Sequence, residues 1–364
     1  MTGIYIHIPF CASRCIYCGF YSTVKRELRQ QYADALCREM AMRTTGDTIS
    51  TVYLGGGTPS QLTIGQLQQL FDALYNIYKV ADNAEVTIEV NPDDVTAELA
   101  TELAQLPVNR VSMGVQTFDN ERLRFLRRRH TSEQAIQAFS RLRKAGFNNI
   151  SIDLMYGFPD ETAADWQHDI DAAIALGAEH VSAYCLSIEE GTPLHRMNIE
   201  AADEETERAM YYTLIDRLDA AGYEHYEISN FARPGYRSRH NSSYWKGVPY
   251  IGVGAAAHSY DVKTRSWNIA DIRQYIEGME KGERVSDEET LDEDTRYNDA
   301  ITVALRTSDG LDLSKLSEKQ RRYCMANAQR HIDANLLKLA DDHLALTKEG
   351  LFVSDMVMSD LIMI

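Results

Sequence analysis

Between residues 4 and 221 the chain alternates six times between a short β-rich run and a stretch of helical spacing, and nothing else in it limits the fold so strongly. The β-rich runs are Ile4–Ile8, Ser50–Leu54, Glu85–Val90, Arg110–Gly114, Asn149–Leu154 and His180–Ser187. The helical stretches are Glu27–Met42, a segment from Thr63, Thr96–Leu106, Ser132–Ala145, Ala164–Leu176 and Glu204–Ala221. Strands joined through a helix pair in parallel, because the crossover returns the chain to the end of the sheet where it began. Six such units predict an α/β fold built on a parallel barrel or partial barrel, a (β/α)6 arrangement. Working residues of such folds gather at the C-terminal ends of the strands, where this chain places its Gly, Asn, Gln and Asp residues.

The first unit carries the most distinctive loop. Ile4, Ile6 and Ile8 alternate with Tyr5 and His7, the run stops at Pro9, and the loop beyond holds Cys11, Cys15 and Cys18. At C-x3-C-x2-C spacing one loop can wrap three thiolates around a single centre, and no fourth cysteine lies nearby. A structural zinc closes its shell with four ligands, whereas a 4Fe-4S cluster on three cysteines keeps one iron open to a small molecule. A zinc knuckle is the alternative; the tight spacing directly after a strand favours the cluster. Cys37, Cys185 and Cys324 stand apart in helix-like or strand-like surroundings and read as packed thiols, as a reducing compartment allows.

Composition narrows the function. A net charge of -17 would repel a phosphate backbone, which argues against nucleic-acid partners. The start MTGIYIHIPF has no basic leader or cleavage site, and no stretch approaches the roughly 18 apolar residues of a membrane span. The expectation is a cytoplasmic protein without a membrane span.

The cysteine loop, followed by the aromatic Phe20, resembles the signature of radical S-adenosylmethionine (SAM) enzymes. YIHIPFC, LGGGTPS, IEVNPD, SMGVQTF and LMYGFP, spread from residue 4 to about 160, are similar to the branch containing oxygen-independent coproporphyrinogen III oxidase. The resemblance implies a SAM site. Gly56, Gly57 and Thr58 would contact the amino group of its methionine moiety, at a triple glycine where backbone can approach a ligand closely. Glu89 would accept from the amine or ribose, Gln116 complete the pocket, Arg128 pair the carboxylate, Asp153 hold a ribose hydroxyl, and Tyr5 touch SAM. An electron donor for the cluster is implied as well.

Within that branch, the oxidases carry a further cysteine two residues after the third, where this chain has Phe20, and a longer segment before the cluster. His240–Trp245, HNSSYW, instead resembles the HNxxYW motif of the haem chaperones of the HemW type. The resemblance implies haem binding and delivery to an acceptor haem protein such as a membrane respiratory enzyme. Oxidative decarboxylation of coproporphyrinogen propionates is the alternative, with Phe20 against it.

The residues themselves suit a haem segment. From Asn230 to Tyr260 there is no Asp or Glu, although 54 acids in 364 residues would place several there by chance. Arg233, Arg237, Arg239 and Lys246 could neutralise propionates, Tyr236, Tyr244 and Trp245 could stack on the macrocycle, and His240 could ligate iron, with His258 a second candidate. The stretch reads as loop-rich, without regular period. A helix near Ile269–Met279 follows, then helices from about Thr295 and a hairpin pairing His343–Leu346 with Gly350–Val353, a small helical or winged domain. The expected division is a radical SAM core over 1–229 and a C-terminal region over 230–364.

Overall fold

The computed structural model describes residues 2–363. Strands β1 (Thr2–Ile8), β2 (Thr48–Gly56), β3 (Lys79–Val90), β4 (Arg110–Gln116), β5 (Ile150–Tyr156) and β6 (His180–Cys185) pair in sequence order, all parallel. Helices Arg29–Met42, Ile64–Ile77, Ala97–Leu103, Ser132–Lys144 and Ala163–Leu176 cross between them, and Glu204–Ala220 follows β6. Thr63, Thr131 and Thr162 start three of these helices with reciprocal capping boxes, satisfying amides that the first turn leaves without partners.

Parallel strands covered on both faces usually read as unbroken apolar runs. These do not. Ile4, Ile6 and Ile8, Val52 and Leu54, Val86 and Ile88, Val111 and Met113, and Ile150, Ile152 and Leu154 form the buried layer beneath the helices. The residues between them, among them Tyr5, Tyr53, Glu89, Arg110, Asp153 and His180, take the other face and line a polar lumen. Closed eight-stranded barrels fill that space with Val, Ile and Leu. Six strands leave the ring open, and the sheet continues past both edges.

Beyond β6 lie antiparallel β7 (Glu224–Glu227) and β8 (Asn230–Ala232), with β8 against β6. Beyond β1 lies β9 (Tyr250–Val253), parallel to it, followed by the antiparallel β10 (His258–Tyr260), β11 (Thr264–Asn268) and β12 (Ser286–Thr290). Buried Glu39 ties this extension to the first helix, accepting from Gly254 N at 2.8 Å, the Tyr275 hydroxyl at 2.7 Å and Asn268 Nδ2 at 2.8 Å.

The structure departs from the sequence expectation at three places. The stretch 230–260 is ordered as β8, helix Arg239–Trp245, β9 and β10, elements too short to leave a period in the sequence. The main sheet therefore runs through residue 229 to Thr290, and a second core begins only with the helix Glu293–Ala304, around Tyr297, Ile301, Leu313, Cys324, Leu337 and Val357. In that unit β13 (Leu311–Asp312), β14 (Leu337–Ala340) and β15 (His343–Leu346) form a small antiparallel sheet. The partner of β15 in the hairpin is β14, turned at Asp341 and Asp342 with φ of 49° and 62°, while Lys348–Phe352 is helical. Two successive positive φ values make a hairpin turn usually signalled by Asn-Gly or Asp-Gly, and Asp-Asp hid it.

Candidate functional site

The chain leaves β1 at the C-terminal mouth of the lumen, and the cysteine loop is bound to its neighbours there. Thr23 N donates to Pro9 O at 2.7 Å and Cys11 N to Thr23 O at 2.9 Å, closing the loop at its base. The loop after β2 runs alongside: Gly57 N donates to Ile8 O at 2.9 Å and Thr58 N to Phe10 O at 2.8 Å. A Cβ on Gly57 would lie 2.6 Å from Pro9 C, and one on Gly56, whose φ is 107°, would lie 2.3 Å from the His7 ring. The triple glycine is thus required by the approach of β2's loop to β1's.

Other side chains converge on this mouth. The Thr58 hydroxyl lies 3.7 Å from Cys11 Sγ and accepts from Asn91 Nδ2 at 3.1 Å. Arg128 reaches Cys15 Sγ at 3.5 Å, Asn91 Oδ1 at 2.7 Å and Gly114 O at 2.6 Å. Glu89 accepts from Gly56 N at 3.0 Å and from the Tyr53 hydroxyl at 2.8 Å. Gln116 sits at an irregularity of β4 with φ of 72°, a conformation that turns its amide back over Gly114. Asp153 faces the same lumen, 3.4 Å from Ser112 Oγ. Burial pushes Glu89 up to about 7 and Asp153 up to about 6, against hydrogen bonds that pull each down. Tyr5 bonds His7 Nδ1 at 3.0 Å, and His7 Nε2 bonds Tyr21 O at 3.1 Å.

The donor set fits an iron–sulfur cluster and SAM. Cys11, Cys15 and Cys18 are half-buried thiols on one loop, and burial raises the Cys11 and Cys18 thiols so that a bound metal is what would hold them as thiolates. Arg128 Nε is buried with no partner among the described residues, which leaves a guanidinium donor for a carboxylate. When bound, the two groups supply one-electron chemistry; the chain's part is to hold them and to line the lumen below.

His240 is elsewhere. The helix Arg239–Trp245 lies across the opposite mouth, with Glu85 Oε2 and Oε1 accepting from Arg239 N and His240 N at 3.0 and 2.9 Å, and Ser238 Oγ from Asn241 N at 3.3 Å. The ring is buried, with Nδ1 2.9 Å from Thr51 Oγ1 and Nε2 2.8 Å from the Tyr244 hydroxyl. Thr51 pairs with Gly3 on β1, five residues and roughly 16 Å of strand from Ile8. Both ring nitrogens are used, so in this conformation His240 offers haem no ligand, contrary to the sequence expectation. The cations around it are engaged too: Arg237 pairs Glu224 and Asp309, Lys246 pairs Asp309, and Arg239 donates to Asn83 O at 2.6 Å. The acid-free stretch draws its acids from elsewhere in the chain. His258 is exposed on β10, its ring stacked 5.9 Å from Trp267.

The Radical SAM superfamily profile matches residues 5–173 and the HemN C-terminal domain profile residues 291–353. Among curated proteins, heme chaperone HemW of Bacillus subtilis is 36% identical, covering 88% of both chains. Heme chaperone HemW of Mycobacterium tuberculosis is 35% identical, covering 99% of this chain and 94% of its own. The chain belongs to the HemW family. Of solved structures, coproporphyrinogen III oxidase (HemN) from Escherichia coli, a radical SAM enzyme, superposes with a TM-score of 0.86 over 99% of this chain and 89% of that one; at 23% identity this is likeness of fold.

Sequence reasoning passed over His7, Tyr53, Asn91, Arg110 and Ser112 in this HemW-family lumen. The signal was present: each alternates at period two with a buried aliphatic residue, or ends a strand that does so.

Proposed function

We propose that this protein is a haem chaperone that takes up haem as cargo and passes it to an acceptor haem protein. A 4Fe-4S cluster sits on Cys11, Cys15 and Cys18, and SAM lies against Tyr5, Gly56, Gly57, Thr58, Glu89, Gln116, Arg128 and Asp153. The observation that carries the reading is near-full-length similarity to proteins named heme chaperone HemW. Phe20, 71% exposed beside the cluster loop in place of a fourth cysteine, supports it over the decarboxylase. No helix of the described residues is long and apolar enough to cross a membrane, in keeping with a carrier that works in the cytoplasm. For the haem iron, His258 is the one of the two candidate imidazoles, His240 and His258, that is open to a ligand without unfolding the helix Arg239–Trp245. Desolvation, then Arg265, lowers its basicity and favours the neutral ligating form.

The test is an anaerobic, cluster-reconstituted preparation given haem and, separately, coproporphyrinogen III with SAM and reductant. Haem uptake and transfer to an apo-acceptor without decarboxylation is the expected result; decarboxylation without stable haem uptake would overturn it.

A further inference from the structure

The helix Arg239–Trp245 does more than cover the lumen floor. It brings His240 and Tyr244, one helical turn apart, into a file of rings that begins inside the lumen. Tyr53 stacks on His240 with centroids 5.1 Å apart, His240 meets Tyr244 at 5.0 Å, Tyr244 meets Tyr250 at 4.5 Å, and Tyr250 meets Tyr260 at 6.2 Å. Tyr250 and Tyr260 are partly exposed on β9 and β10. We propose that this file is a redox relay, with Tyr53 and Tyr244 as the redox-active tyrosines and the rings of Tyr250 and Tyr260 as the path along which an electron tunnels from the surface to Tyr244.

What distinguishes these two phenols is the group each bonds. A phenol that loses an electron must shed its proton, so a redox-active tyrosine needs a base at hydrogen-bond distance. Tyr53 donates to Glu89 Oε1 at 2.8 Å, a base once Glu89 ionises above about pH 7, and the Tyr244 hydroxyl lies 2.8 Å from His240 Nε2. The relay requires the tautomer in which Nδ1–H donates to Thr51 Oγ1 and Nε2 accepts from the Tyr244 hydroxyl, one of the two that these contacts allow. Most other buried tyrosines, Tyr32, Tyr78, Tyr211, Tyr223 and Tyr297, donate to backbone carbonyls, which cannot take a proton. Among the described residues Tyr226 on His180 and Tyr275 on Glu39 also have bases but no run of rings to the surface, while Tyr5, on His7 Nδ1 at 3.0 Å and 6.2 Å from the Tyr53 ring, joins the file as a side branch within the lumen. Burial, and then Arg110, lowers His240 to about 3, so the ring stands neutral and takes a proton only from a phenol made strongly acidic by loss of an electron.

The relay rests on the SAM reading of the upper mouth, which supplies the oxidant as a carbon-centred radical. That radical gains an electron from Tyr53 and a proton through Glu89, and ends as a C–H bond. Tyr53 is restored by an electron from Tyr244 and a proton from lumen water, while the Tyr244 proton rests on His240 Nε2. An electron tunnelling in across the Tyr260 and Tyr250 rings from a thiol-class reductant, and return of that proton, restore Tyr244, and the proton that the oxidised thiol sheds to solvent neutralises the hydroxide left in the lumen. In sum, one carbon radical and one thiol hydrogen become a C–H bond and a thiyl radical. The relay discharges a radical that meets no substrate before it attacks the lumen wall.

Two measurements test this. In the cluster-free protein, 15N-histidine NMR should find His240 Nε2 unprotonated and hydrogen-bonded, with its shift moved in Tyr244→Phe; a protonated Nε2 would overturn the relay. In the reconstituted protein, SAM and reductant without haem should give 5'-deoxyadenosine and a freeze-quenched tyrosyl signal that narrows with ring-deuterated tyrosine. Tyr53→Phe should lose that signal to background and gain adenosyl adducts on lumen peptides by mass spectrometry, while Tyr244→Phe should keep a Tyr53 signal of altered line shape. 5'-Deoxyadenosine without a tyrosyl signal, or the same signal in all three proteins, would overturn the relay alone. Absence of 5'-deoxyadenosine would overturn the SAM reading together with it.

Discussion

The two mouths of the lumen carry the chain's two most distinctive motifs, and they are built in opposite ways. At the C-terminal mouth the donors are half-buried and not spent on one another: three thiols free of disulfides, and an Arg128 Nε with no partner among the described residues. At the floor the polar groups are buried and mostly spent on one another. Thr51, His240 and Tyr244 form one chain of hydrogen bonds, and Ser151, His180 and Tyr226 form a second at 2.7 Å each. Glu85 uses both oxygens on the helix N-terminus, and Thr87 Oγ1, Arg110 Nε and Trp245 Nε1 are exceptions among the described residues. A motif's residue types name a chemistry, but spare valence and exposure decide whether that chemistry is open to a ligand.

Perturbing each mouth separately should sharpen the contrast. The largest effect belongs to the upper one: replacing Cys11, Cys15 and Cys18 with Ala should abolish cluster iron and its paramagnetic signal while leaving haem uptake intact. A cluster signal that survived would break the assignment. At the floor, His240→Ala strands Thr51 and Tyr244 and opens a cavity, so chemical denaturation should register a loss of roughly 2–4 kcal/mol with cluster content unchanged. A neutral result would mean that the floor is looser than its hydrogen bonds suggest.

Glu89 gives an effect of the next size. The ligand-free folded chain keeps a proton on Glu89 that an unfolded carboxyl near 4.5 has released, so stability should fall as pH rises from about 4.5 to about 7 and then level off. Glu89→Gln should flatten that slope and raise the melting temperature at pH 8 by a few degrees. An unchanged slope would place the responsible group elsewhere. Smallest is Ser238→Ala, which removes the cap of the floor helix and should cost about 1 kcal/mol by the same denaturation assay, without effect at the upper mouth.

The sequence was most readable where long elements repeat. Each of the six expected strands overlaps an observed one, and capping threonines mark helix starts at residues 64, 132 and 163. The upper mouth was readable because its residues come from strand ends and a single cysteine loop: Cys11, Thr58, Glu89, Gln116 and Arg128 do converge there. The floor was not readable. A seven-residue helix and strands of three or four residues leave no periodicity, and the partners of its polar side chains lie far off in sequence, Arg237 with Asp309 and His240 with Thr51. Local absence of acids looked like an open basic surface, when the compensating acids arrive from β3, β7 and the C-terminal unit.

The central claim is that the chain binds haem as cargo through an imidazole outside the sealed floor. It is tested most directly by haem titration, followed by absorption, of the parent protein, His258→Ala and His240→Gln, each checked for cooperative unfolding. The account predicts saturable binding by the parent, loss of tight binding and a changed spectrum in His258→Ala, and retained binding by His240→Gln. Loss of haem by a folded His240→Gln with His258→Ala unaffected, or no haem binding by the parent, would contradict it.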